Sequence, residues 1–192
     1  MKKITVGYAF CGSFCTLAKS VAALKTLKTP ELNIIPIFSE IVWNTNTRFY
    51  KAEDLKKDVI EICENNIIHD IPSAEPIGPK NLLDAIIVAP CTGNTASKIA
   101  LGITDTTVTM AVKASLRNNI PVIIAIASND ALGASAKNIG IQQNTKNIFF
   151  VPYTQDDPIE KNNSLVCDFT KIPETFESAL SGKQIQPMLI KQ

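Results

Sequence analysis

The chain has 192 residues, of which 45% are hydrophobic and 19% charged, with a net charge of +1. That length suits one domain around a single sizeable core, and the composition excludes disordered, collagen-like and coiled-coil chains. The charge balance leaves no basic field for nucleic acid, and no apolar run reaches the roughly 18 to 20 residues of a membrane span.

Lys3 to Ala9 is a short β-branched apolar run ending at a glycine-serine turn, and predicts a buried strand. Met1-Lys2-Lys3 ahead of it has the look of an export signal. Gly7 and Gly12 interrupt the apolar stretch and no small-residue cleavage site follows, so the expectation is a folded cytoplasmic segment. Ser13 to Lys28 carries Leu17, Val21, Leu24 and Leu27 at helical spacing and stops before Pro30. Leu32 to Phe38 predicts a strand, placed near an edge by Pro36. Ala52 to Asn65 predicts an amphipathic helix.

Asp84 to Ala89 is the clearest buried strand, closing at Pro90. Thr95 to Leu101 and Thr107 to Arg117 predict helices, Pro121 to Ile126 a strand, and Ala131 to Gln143 a helix. Asn147 to Val151 predicts the last strand, followed by a polar loop and a final helix over Glu174 to Leu180. No repeat or composition break divides residues 1–192, with about 182–192 as a tail. Continuous apolar strands alternating with helices predict an α/β domain: a three-layer, Rossmann-like (flavodoxin-like) parallel sheet with helices on both faces.

In such sheets ligands bind beyond the carboxyl ends of the strands, so the turns there are the candidate site. Gly12 and Ser13 follow the first strand; glycine permits a tight turn, and a serine hydroxyl suits an anion or an ordinary helix cap. The spacing is not the dinucleotide G-x-G-x-x-G. Ser39 follows the second strand and precedes a polar loop with Trp43 and Arg48, an arginine suited to phosphate or carboxylate. Thr92, Gly93 and Asn94 sit in a turn of small polar groups suited to the edge of a planar heterocycle. Ser128 and Asn129 form a second such turn. Gln155-Asp156-Asp157 and Asn162-Asn163-Ser164 read as solvated turns rather than acid–base machinery.

The five cysteines are odd in number and widely spaced, and with a single histidine they make no metal pattern; reduced thiols are expected. Cys91 has no neighbouring base, and His69 near a strand end reads as structural more readily than catalytic.

Pro90-Cys91-Thr92-Gly93-Asn94-Thr95 resembles the P-A-S-A-N-T loop of the flavoprotein family that includes phosphopantothenoylcysteine decarboxylase and the lantibiotic-processing decarboxylases. Gly12-Ser13 and Ser39 match that family's phosphate contacts, and Asn129 the asparagine of its P-x-M-N-x-x-M motif, whose methionines are Ser128 and Leu132 here. A longer set covering nearly the whole chain is similar to one branch, the dipicolinate synthase B subunits of spore-forming bacteria. It includes Asn46-Thr47-Arg48-Phe49, Ala74-Glu75-Pro76-Ile77-Gly78-Pro79, Asn129-Asp130-Ala131-Leu132-Gly133 and Gly182-Lys183-Gln184.

The resemblance implies FMN bound through Gly12, Ser13, Ser39, Thr92, Gly93, Asn94, Ser128 and Asn129. It also implies a cytoplasmic homo-oligomer in the mother cell, taking part in dehydrogenation of dihydrodipicolinate. Its implied partner is the A subunit of dipicolinate synthase, which carries a nicotinamide-binding fold and NADP. Asn94, Arg48 and Lys98 are the candidate catalytic residues, the two cations as partners for the carboxylates of a small dicarboxylate; Arg117 is a weaker candidate. The decarboxylases use a histidine after the second strand, and residues 40–50 contain none. Decarboxylation of a cysteine-containing substrate, with His69 as the only histidine, and a non-catalytic flavin- or nucleotide-binding support role are the alternatives.

Overall fold

The computed structural model describes residues 3–191. Five strands run parallel: β1 (Ile4–Phe10), β2 (Leu32–Phe38), β3 (Ala85–Cys91), β4 (Val122–Ser128) and β5 (Ile148–Phe150). Their order is β2-β1-β3-β4-β5, the flavodoxin-like doubly wound arrangement. Every residue of β3 is buried, as are the first six of β4. Helices cover both faces of these strands, which is why they read as unbroken apolar runs. Gly7 in β1 is required by close packing: a Cβ there falls 2.8 Å from Leu83 Cδ1.

The helices form two layers. One holds α1 (Leu17–Leu27), α3 (Ala52–Cys63) and α8 (Ile172–Leu180); α1 packs on both of the others. The other holds α4 (Ile71–Ala74), α5 (Gly93–Leu101), α6 (Thr107–Arg117) and α7 (Ala136–Gln143). The short α2 (Glu40–Asn44) leads from β2 towards α3. β2 lies at the edge of the sheet, where Pro36 is tolerated because the outer side carries only an isolated bridge, Ile37 to Ile68.

The sheet departs from an all-parallel one at its far end. The segment expected to be a polar loop is an antiparallel hairpin, β6 (Tyr153–Asp157) and β7 (Lys161–Cys167). β5 stops pairing with β4 at Ile124, and β7 takes over the same edge at Ala127 and Ser128. Only the base of the hairpin is buried, so its polar tip carries no continuous apolar run. At the tip Asp157 accepts hydrogen bonds from the backbone N–H groups of Ile159 and Glu160. The tail runs back beside the hairpin, with the Tyr153 N–H donating to Met188 and the Ile190 N–H to Tyr153.

Two further differences are local. α7 begins at Ala136 rather than near Ala131, because Asp130 first folds residues 130–135 into turns, accepting from Gly133, Ala134 and Ser135. The helices α2 and α4 are too short for periodicity to reveal.

Candidate functional site

β1 and β3 are hydrogen-bonded neighbours whose chains leave towards opposite ends of the sheet, which opens a crevice at their carboxyl ends. The Cys11 N–H donates to the Pro90 carbonyl at 3.3 Å and ties the two turns together. Two cavities meet there, sharing Gly12, Thr92 and Asn94. One extends towards β2 with a volume of about 610 Å³, and the other towards β4 and the hairpin with about 1270 Å³.

The β2-side cavity adds Ser39, Glu40, Ile41, Asn44, Thr95 and Thr106, so its polar wall is hydroxyls, amides and one carboxylate beside an exposed isoleucine. Ser39 stands at the N-cap of α2, yet its side chain caps nothing. Its Oγ is buried without a hydrogen-bond partner among the described residues, an expensive condition for a hydroxyl. Glu40 is anchored: its Oε1 accepts from both the N–H and the hydroxyl of Thr107, at 2.9 and 2.7 Å, at the start of α6. That placement also suits the positive end of the α6 dipole.

The β4-side cavity is lined by Ser13, Arg48, Gly93, Ser128 and Asn129, and by the hairpin residues Lys161 and Ser164. Ser13 Oγ accepts from the Thr16 hydroxyl at 3.0 Å, leaving its own proton to donate. Gly93 starts α5 against β4: a Cβ there falls 2.6 Å from Ser128 Oγ and 2.7 Å from Ser135 Oγ. The Thr92 hydroxyl accepts from the Thr95 N–H and caps α5. The Asn94 side chain is exposed at the junction of the two cavities.

Three sequence candidates lie elsewhere. Asn94, Ser97 and Leu101 share the α5 face that lines the larger cavity, and Lys98, about 100° further round, points away. Its ammonium pairs with Asp105 at 2.8 Å. Arg117 packs against Gly78, and its side chain touches neither cavity. His69 also lies outside both cavities, stacked on Trp43 at 3.8 Å with 14° between the planes. Conversely, the sequence did not single out Lys19, Ser97, Lys137 or Asn138. Spacing along α5 from Asn94 to Ser97 was the one available signal; the lysines sit on α1 and α7 with nothing local to mark them.

Burial holds the thiols beneath the site protonated. It pushes Cys11 up to about 11 and Cys91 well above its ordinary value. Neither is a nucleophile at neutral pH. No group of three metal-ligating side chains occurs among the described residues, and no described helix is long and apolar enough to cross a membrane.

Comparison with known proteins agrees with this layout. The family model described as Flavoprotein matches residues 1–175. The dipicolinate synthase B subunit of Bacillus subtilis is 40% identical over 191 residues, covering all of this chain and 96% of that protein. The crystal structure of the dipicolinate synthase B subunit from Bacillus halodurans superposes with a TM-score of 0.90 at 40% identity, over the full length of both chains. The DmrB protein of Burkholderia xenovorans in complex with FMN, 17% identical, shares the fold with a TM-score of 0.68 over 93% of this chain and 96% of its own. With a family model spanning its sheet and both cavities, and relatives aligned along its full length, the chain belongs to the Flavoprotein family.

Proposed function

We propose that this chain is the FMN-binding subunit of a dipicolinate synthase, contributing to dehydrogenation of dihydrodipicolinate to dipicolinate in the mother-cell cytoplasm of a sporulating bacterium. Two full-length relatives named as the B subunit of that synthase support the substrate. Their name as a B subunit also supports a partner, the synthase's A subunit. The observation that carries the cofactor assignment is Ser39, whose buried hydroxyl lacks a partner among the described residues in a cavity whose other hydroxyls are Thr92, Thr95 and Thr106 and whose one carboxylate, Glu40, is taken up by Thr107. That is the arrangement a phosphate completes.

The residues fit FMN from one end to the other. Ser13 and Ser39 would donate to the phosphate, while Gly12 lets the backbone come close. Thr92, Gly93, Asn94, Ser128 and Asn129 would border the isoalloxazine. Bound there, FMN would supply a two-electron acceptor for the dihydropyridine substrate. The protein's part is orientation and exclusion of water, with the hairpin covering the outer wall of the larger cavity. Asn94, at the junction of the cavities, is placed to orient the ring edge by its amide.

Homo-oligomerisation belongs to the same proposal, supported by the FMN-bound neighbour's description as a cubic protein cage for redox transfer and by the exposed Ile41, Phe49 and Leu101 at the cavity walls. Purified protein should be yellow and retain close to one FMN per chain. Colourless protein that ignores added FMN would defeat the assignment. Full-rate dipicolinate formation by the isolated partner, without this chain, would remove the catalytic role while leaving flavin binding intact.

A further inference from the structure

The cations around the site are distributed unevenly. The β4-side cavity is lined by Lys19, Arg48, Lys137 and Lys161 against two carboxylates, Asp130 and Asp156. The β2-side cavity has Glu40 and no lining cation among the described residues. Lys161 is already paired with Asp156 at 2.8 Å, and Asp130 Oδ1 accepts from the Ala134 N–H in its own turn. Lys19 and Lys137 make no ion pair among the described residues. Arg48 lies over the ring of Phe49, 4.8 Å from its centroid, and Phe49 is half exposed on the wall of the same cavity.

We propose that Lys19, Arg48 and Lys137 form the subsite for the two carboxylates of a small planar dicarboxylate. The proposal rests on the flavin reading of this cavity and goes beyond it by assigning the substrate-binding cations. Three observations favour a dianion at this end. The lining carries two positive charges in excess, which matches a dianion and not a neutral ring. The three cations come from separate elements, α1, the loop after α2, and α7, so they suit two separated carboxylates better than one compact anion. The hydroxyls around Ser39 suit a phosphate without using any of these cations. Phe49 offers a flat apolar surface for the ring between the carboxylates. Lys98 is excluded from the subsite by its pairing with Asp105.

The test is calorimetric titration of the whole chain, with and without FMN, using pyridine-2,6-dicarboxylate and pyridine-2-carboxylate as probes. The dicarboxylate should bind more tightly than the monocarboxylate and weaken as salt rises. Lys19→Gln and Lys137→Gln should each weaken dicarboxylate binding about tenfold, and Arg48→Gln should do likewise. FMN affinity and melting temperature should stay unchanged. Lys98→Gln should leave both ligands within twofold of the unaltered chain. Dicarboxylate binding that is absent, or that survives all three substitutions, overturns the subsite. So does a loss of FMN affinity in place of dicarboxylate affinity, which would assign these cations to the phosphate. A chain that binds dicarboxylate through these residues but takes up no FMN would defeat the flavin reading alone.

Discussion

The two halves of the crevice share a floor and differ in their walls. Towards β2 the wall is short-chain hydroxyls and amides, with one carboxylate anchored to the start of α6 and one buried hydroxyl left over. Towards β4 it is long cationic side chains from α1, the loop after α2, α7 and the hairpin, around a volume about twice as large. The difference teaches that one crevice can separate two anions by chemistry: fixed short hydroxyls suit a permanently held phosphate, and long exposed cations suit a ligand that must leave. Substitutions at Ser39 should therefore act on FMN, and substitutions at Lys19, Arg48 and Lys137 on the dicarboxylate, each sparing the other ligand.

The largest effect is expected from adding negative charge to the half that has no cation among the described residues. Ser39→Asp puts a second carboxylate beside Glu40, and FMN affinity should fall on the order of a thousandfold or more, measured by flavin fluorescence. Retained FMN binding would break the contrast between the two walls. Ser39→Ala is gentler. It should lower FMN affinity about ten- to a hundredfold, while the flavin-free chain becomes more stable by about 1 kcal/mol because an unsatisfied buried hydroxyl is gone. A structural serine would give the opposite stability sign.

The buried thiols answer to pH. Burial raises Cys11, after β1, to about 11 and Cys63, the last residue of α3, to about 12, from an ordinary value of 9. The native state thus keeps these protons after the unfolded chain has lost its own. The stability they contribute is complete below about pH 9 and is lost as pH rises towards 11 and 12. Each thiol should contribute a fall of about 1.4 kcal/mol per pH unit in that window, measured by urea titration. A flat profile from pH 9 to 11 would mean these thiols are wetter than the structure shows. The smallest effect belongs to Glu40→Gln, which weakens the anchor at α6 and should destabilise the chain by about 1 kcal/mol. If Glu40 instead takes part in the chemistry, activity falls while stability holds.

The legible parts of this molecule are those where one physical signal dominates. β1, β3 and β4 are buried on both faces, so their apolar runs announce a parallel sheet, and the turns after them were identifiable as the crevice. Gly12, Thr92 and Asn94 follow β1 and β3, Ser39 follows β2, and all four line the cavities. The hairpin escaped because its outer residues are solvated on both faces and alternate too little to read as strands. Lys19 and Lys137 escaped because their meeting depends on how α1 and α7 sit across the sheet from one another, which no local pattern encodes. Lys98 was expected to pair with a substrate carboxylate, yet its ammonium pairs with Asp105 and it lines neither cavity.

The central claim is that the Ser39 side of the crevice holds the phosphate of FMN. The most direct measurement is the affinity of the whole chain for FMN relative to riboflavin, for the unaltered protein and for Ser39→Ala. The account predicts that FMN binds at least about a hundredfold more tightly than riboflavin, and that Ser39→Ala erases most of this preference while riboflavin affinity holds. Equal affinity for the two flavins, or a preference that Ser39→Ala leaves intact, would contradict it.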